Sequence, residues 1–182
     1  LNNTVRFLQL VGDLDGLGIG MRHISVSTSG LVPGIYKLME YGFPITLSIS
    51  LHAPNDAIRS AAMPINKAYN MQKLLTACRD YIQKTGRRIS FEYALISGLN
   101  DSDACAEELA GRLHGMLCHV NLIPANPVAE NGYKRPDPKR VQRFCSLLNS
   151  RGIVTTVRRT LGADINASCG QLRRKTLEKG SR

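Results

Sequence analysis

Apolar and polar residues alternate in several short stretches of this chain, and segments with helical spacing separate them. Strands are predicted over 23–30 (HISVSTSG), 45–52 (ITLSISLH), 88–96 (RISFEYALI), 119–124 (HVNLIP) and 153–159 (IVTTVRR), because successive strand side chains point to opposite faces. Pro33 marks a helix running to about Gly42. Asn70 can cap a long helix carrying Met71, Leu74, Leu75, Cys78, Tyr81 and Ile82, with Gly86 past its end. Asp101 or Ser102 can cap a helix to about Gly115, with Ala106, Leu109, Leu113 and Met116 spaced along it. Asp137 and Pro138 open another, with Val141, Phe144, Leu147 and Leu148 inward and Gly152 as the stop. Such strand–helix alternation implies βα units and a parallel sheet.

The alternation within the strands adds a second constraint. A doubly wound sheet buries both faces and reads as continuous apolar runs. Here one face carries Ile24, Val26, Ile45, Leu47, Ile49, Leu51, Ile89, Phe91, Tyr93, Leu95, Val120 and Leu122. The other carries Ser25, Ser27, Ser29, Thr46, Ser48, Ser50, His52, Ser90, Glu92, His119 and Asn121. One apolar and one small, polar face fit an α/β fold of partial (β/α)-barrel type, with parallel strands, helices outside and a polar lumen. That lumen must hold water or a polar ligand, since unpaired buried polar groups are costly. In such barrels chemistry gathers in the loops that follow the strands. Those loops read STSG (27–30), SLHAPND (50–56), ISGLND (96–101) and IPANP (123–127), whereas the opposite connections, YGFP, TGRR and SRG, are short and plain.

At 182 residues the chain is read as one domain, 1–182, with a basic tail at about 158–182. Net charge is +10, from 24 Lys and Arg against 14 Asp and Glu, which points to a polyanionic partner and to nucleic acid before membrane. No apolar run approaches the length of a membrane span and no signal peptide is recognised. Of the cysteines, Cys78, Cys105 and Cys145 sit in helical patterns and Cys118 leads into a strand, where a small buried hydrophobe is the default. No C-x-x-C spacing occurs, so no metal ligands are expected in this chain, and the odd cysteine count points to a reducing, cytoplasmic setting. Cys169 alone falls on a polar stretch, between Ser168 and Gly170.

HISVSTSG, SISLHAPND, MPINK, FEY, CHVNLIPANP and ASCGQLR, in this order, closely resemble the radical S-adenosylmethionine (SAM) RNA methyltransferases that act on C2 of adenosine. The resemblance spans essentially the whole chain and corresponds to the C-terminal portion of a family member. It implies SAM contacts from Ser27, from the Ser50, Leu51 and His52 segment, and from Asn126. It further implies that Cys169 is the methyl-accepting cysteine. In the family's chemistry that cysteine takes a methyl from one SAM. A radical generated from a second SAM then activates the methyl for addition to C2, giving an adduct that another cysteine resolves. A thiolate suits the first transfer because it is a good nucleophile, whereas an adenine C2 is not. The implied partners are 23S ribosomal RNA, transfer RNA and an electron donor such as flavodoxin or ferredoxin, with a monomer expected.

The family's cluster-binding C-x-x-x-C-x-x-C motif, its glycine- and glutamate-containing SAM motif and its resolving cysteine are absent from the chain. A [4Fe-4S] cluster is therefore expected in the full-length protein and not from this chain alone, which is read as an inactive fragment. Three alternatives stay open: a C8-directed enzyme of the same family, a non-catalytic RNA-binding module, and a thiol enzyme in which a histidine activates Cys169.

Seven basic residues, Arg158, Arg159, Arg173, Arg174, Lys175, Lys179 and Arg182, bracket Cys169 against only Asp164 and Glu178. Replacing Arg173, Arg174 and Lys175 by Ala should weaken RNA binding and flatten its salt dependence by roughly 0.7 of log–log slope per single-strand phosphate contact removed. Filter-binding titrations at several salt concentrations measure this; an unchanged slope would leave the tail without a part in RNA capture.

Overall fold

The computed structural model describes residues 1–126 and 132–158. Its sheet has five parallel strands, β1 (Ser25–Thr28), β2 (Thr46–Ser50), β3 (Ile89–Leu95), β4 (Cys118–Pro124) and β5 (Thr155–Val157), in the order β1-β2-β3-β4-β5. The helices are α1 (Asn2–Gly12), α2 (Val32–Glu40), α3 (Asp56–Ala62), α4 (Met71–Thr85), α5 (Asp103–Leu113) and α6 (Pro138–Ser150), with short 3-10 turns at Met21–His23 and Pro64–Lys67. Every strand pairs with its successor in sequence. Residues of α2, α4, α5 and α6 share one core with the sheet's apolar face, the arrangement that right-handed βαβ crossovers produce.

The helix ends follow their sequence signals. Asn70 accepts the Lys73 amide at 3.0 Å, and Gly86 closes α4 with φ 63, a left-handed position that a side chain would strain. Ser102, not Asp101, caps α5 by accepting the Cys105 amide; Asp101 instead accepts the Gly98 amide in the preceding turn. Asp137 accepts the Lys139 amide at 2.7 Å and opens α6. Two helices were not anticipated. In α1, Val5, Leu8 and Val11 are buried at helical spacing, and α3 is capped by Asn55, whose Oδ1 accepts the Ile58 amide.

One continuous core lies between the sheet and the helices. Leu47, Ile49, Phe91, Tyr93, Val120 and Leu122 enter it from the strands, and Ile35, Leu74, Cys78, Leu109, Phe144 and Leu148 from the helices. Burial pushes the Cys78 thiol up to about 12 and the Cys118 thiol to about 11, so both are inert packing groups. Ion pairs of Asp103 with Arg140 and Arg143, and of Glu107 with Arg151, join α5 to α6 on the exposed side.

The most consequential buried group is charged. Arg59 of α3 is fully buried, with Nε donating to the Leu51 carbonyl (3.2 Å) and Nη1 to Asn66 Oδ1 (2.9 Å). Nη2 donates to the carbonyls of Ser29 (2.6 Å) and Ser50 (3.3 Å). One guanidinium thus ties together the C-terminal ends of β1 and β2. Gly30 lets it in: a Cβ there, besides meeting a φ of 106, would lie 3.1 Å from Nη2. Asn66 passes the contact on, donating to Asp56 Oδ1 and Ser60 Oγ, while the same Asp56 oxygen accepts the Met71 amide and so anchors the start of α4. Burial pulls the Arg59 pKa down, and nearby Asp56 opposes that pull.

Arg59→Met should cost the protein about 3 kcal/mol, the scale expected when a charged donor is removed and its buried acceptors are left unpaired. Arg59→Lys should recover little of this, because an ammonium cannot span acceptors on three segments. Urea unfolding measures both, and a Lys variant as stable as the parent would show that the planar fork is not required.

Candidate active-site rim

Ser27 and Ser50 near the ends of β1 and β2, and His52 and Asn126 in the segments that follow β2 and β4, are brought to one end of the parallel sheet. The register places Ser27 beside Ser48 and Ser50 beside Glu92, and continues to Asn121 and Thr156. Across the polar face run two rows, Ser27–Ser48–Ser90–His119 and Ser50–Glu92–Asn121–Thr156. Glu92 accepts from Asn121 Nδ2 at 2.7 Å and from Ser90 Oγ at 3.1 Å. Ser25 and Ser48 share a hydrogen bond of 2.8 Å, and His119 Nε2 lies 2.9 Å from Thr156 Oγ1. The lumen side is therefore lined with hydroxyls, amides, one carboxylate and two imidazoles.

Each residue assigned to SAM has a distinct place on this rim. Ser27 is exposed on β1, and Ser50, partly exposed, ends β2. Asn126 lies two residues beyond β4, partly exposed, after Ala125 has extended the ladder by donating to the Leu95 carbonyl at 2.9 Å. Leu51 differs from its neighbours. Its side chain is buried in the core, its amide donates to the Glu92 carbonyl and its carbonyl accepts from Arg59. Leu51 thus turns its side chain away from the rim, while its backbone holds the segment between Ser50 and His52 to β3 and to Arg59. Cys169 lies outside the described residues.

His52 has the unusual backbone of the rim. It alone among the described non-glycine residues has a positive φ, 57. Its Nδ1 accepts the Ala94 amide at 2.9 Å, and its carbonyl accepts from Asn100 Nδ2 at 2.9 Å. Asn100, buried in turn, also donates to the Ala94 carbonyl and accepts the Ile96 amide, so it staples the end of β3 to the end of β2. Burial, reinforced by the Arg59 charge and opposed by Glu92, holds the imidazole below its ordinary range and so neutral.

Several polar residues of the rim loops turn out to be architecture. Asn55 caps α3 and donates to Glu108 on α5 at 2.7 Å; Asp56, Asn66 and Asn100 are spent as described above. Arg59, Asn66 and Asn100 position the site, yet the sequence reading did not single them out. The one available signal was the density of Asn and Asp after the strands, which suits ligand binding and turn chemistry equally. A cleft of about 160 Å³ beside β1, lined by Val26, Ser27, Leu31, Ile35 and Leu38 among others, reaches Ser27 from the apolar side.

An iron–sulfur cluster does not fit the donor set. Cys78 and Cys118 are buried with raised pKa values, and no group of three His, Cys, Asp or Glu among the described residues could hold a metal. Nor, among the described residues, is any helix long and apolar enough to cross a membrane.

No family model matches the chain. It is 57% identical over 177 residues to a protein of Alkaliphilus oremlandii named "Probable dual-specificity RNA methyltransferase RlmN", covering 97% of this chain and 52% of that one. A Clostridium tetani protein of the same name is 52% identical over 181 residues, again with 52% of its length covered. Among solved structures, a radical SAM methyltransferase from Sphaerobacter thermophilus superposes with a TM-score of 0.89 at 50% identity, over 93% of this chain and 50% of that one. A domain of a pyruvate-formate lyase-activating enzyme from Bacteroides vulgatus superposes at 0.67 with 17% identity, over 87% of this chain and 91% of that one, a likeness of fold alone. The chain spans about half the length of the curated relatives it matches. Over nearly its whole length, then, the chain is a homologue of the radical SAM RNA methyltransferases named RlmN, and corresponds to about half of one.

Proposed function

We propose that this chain forms the C-terminal half of the barrel of a radical SAM RNA methyltransferase that methylates C2 of an adenosine in 23S ribosomal RNA and of an adenosine in transfer RNA. The observation that carries this reading is 57% identity over 97% of the chain to a named dual-specificity RNA methyltransferase. The polar strand ends, which meet on one rim as a SAM site would require, support it. SAM is the substrate of that rim, met by Ser27, Ser50, His52 and Asn126.

Cys169 is the methyl carrier in this reading. Its thiolate attacks the methyl carbon of the SAM sulfonium, having lost its proton to solvent. A new S–C bond forms, the old C–S bond breaks with its electron pair staying on the departing sulfur, and S-adenosylhomocysteine leaves. Adenine C2 offers no comparable nucleophile, so the methyl must be staged on the protein. A cluster, held by residues that this chain does not contribute and reduced by a donor such as flavodoxin or ferredoxin, supplies the radical chemistry when bound. Gly162 and Gly170 flank Cys169, and the conformational freedom of glycine suits a cysteine that must serve both SAM and RNA.

In the full-length protein, the peptide spanning Cys169 should carry one added methyl by mass spectrometry. Cys169→Ala should abolish both that mark and RNA methylation while the unfolding midpoint stays unchanged. Methyl transfer that survives in this variant would remove Cys169 from the mechanism.

A further inference from the structure

We infer that His52 is locked with its proton on Nε2 and serves the rim as a fixed hydrogen-bond donor to an acceptor atom of an adenosyl ligand, and not as a base. The inference rests on the proposed SAM site and adds to it the direction of one hydrogen bond.

The ladder between β2 and β3 shows how the lock is built. The amide of Leu51 donates to the Glu92 carbonyl at 3.0 Å, as the register Ile49↔Phe91 requires when carried two residues on. In a regular parallel pair the following bond would run from the Ala94 amide to the Leu51 carbonyl. That bond is not made. Arg59 Nε takes the Leu51 carbonyl at 3.2 Å, and His52 Nδ1 takes the Ala94 amide at 2.9 Å. Both halves of one rung are thus satisfied by side chains, and the imidazole replaces a strand carbonyl. The backbone accommodates this with a φ of 57 at His52, a left-handed conformation strained for a non-glycine residue and of a kind that accompanies functional positions.

The tautomer follows from the partner. A backbone amide has only a hydrogen to give, so Nδ1 must present its lone pair, and the single proton of the neutral ring sits on Nε2. A doubly protonated ring would set one N–H against another. Among the described residues Nε2 has no hydrogen-bond partner, and His52 is partly exposed. By alternation His52 follows Thr46, Ser48 and Ser50 in the sequence, and its ring reaches the Ala94 amide of β3. A group so placed offers a hydrogen to a ribose oxygen, a ring nitrogen or a carboxylate, and it has no free lone pair with which to deprotonate Cys169.

Long-range proton–nitrogen correlation spectra of the full-length protein, labelled at histidine nitrogen, test this with S-adenosylhomocysteine as the probe. At neutral pH His52 should show a protonated Nε2 and a bare Nδ1, and the Nε2 proton should shift when the probe binds. The opposite tautomer or an imidazolium overturns the lock. A probe that binds by calorimetry yet leaves Nε2 unmoved overturns the donor role. A probe that does not bind at all overturns the SAM reading of the rim and the donor role with it, while the tautomer result stands by itself. Two variants separate donor from scaffold. His52→Gln keeps an N–H near the Nε2 position and should hold affinity for the probe within about threefold. His52→Asn keeps only the Nδ1-side acceptor and should lose about tenfold, the equivalent of one hydrogen bond. A purely structural histidine predicts the reverse order, because Asn preserves the Ala94 contact and tolerates the left-handed backbone.

Discussion

The buried guanidinium of Arg59 is the constraint on which this half-barrel depends. A charge without water must be met by acceptors, and the acceptors available are the carbonyls at which β1 and β2 stop being strands. Satisfying the charge therefore fixes the loops. The Ser29 and Ser50 carbonyls are held through one side chain, and Asn66 and Asp56 extend the same network to the start of α4. The geometry suits arginine specifically: the planar fork reaches three segments at once, which a lysine could not do.

This arrangement ties the strand ends of the rim together through side chains. The bond that would have continued the β2–β3 ladder is divided between Arg59 and His52, so the strand pair ends abruptly at the level of the polar rows. Asn100 then closes the gap by accepting from one strand end and donating to both. Of the many Asn and Asp residues in these loops, most satisfy backbone groups or cap helices. On this rim Ser27 is exposed, and Ser50, His52 and Asn126 are partly exposed.

The fold is shared more widely than the chemistry. A domain at 17% identity has the same architecture, whereas the relatives at about half identity are named for RNA methyl transfer. The βα scaffold sets where ligands bind, and the loops that follow the strands decide which ligand and which reaction.

The sequence by itself determined the five strands, the four long helices after β1 to β4 with caps at Asn70 and Asp137 and at Asp101 or Ser102, and the division of the sheet into one apolar and one polar face. Period-two and period-3.6 patterns are local, and they are strong enough to survive without knowledge of any partner. Ser27, Ser50, His52 and Asn126 were named through the family resemblance, and parallel pairing places them at or just beyond the C-terminal ends of their strands. Only the tertiary structure decided which polar residues were free and which were spent. Alternation already put Leu51 on the apolar face; what the structure adds is that its amide is taken by Glu92 and its carbonyl by Arg59. Arg59 reads as one basic residue among 24 Lys and Arg, yet among the described residues it is the one Lys or Arg that is buried. Its acceptors lie 30 residues away at Ser29 and 9 away at Ser50, and the partner of His52 Nδ1 lies 42 away. Hydrogen bonds across such separations leave no periodic trace, because they depend on which strands become neighbours and not on the spacing of residues within any one of them.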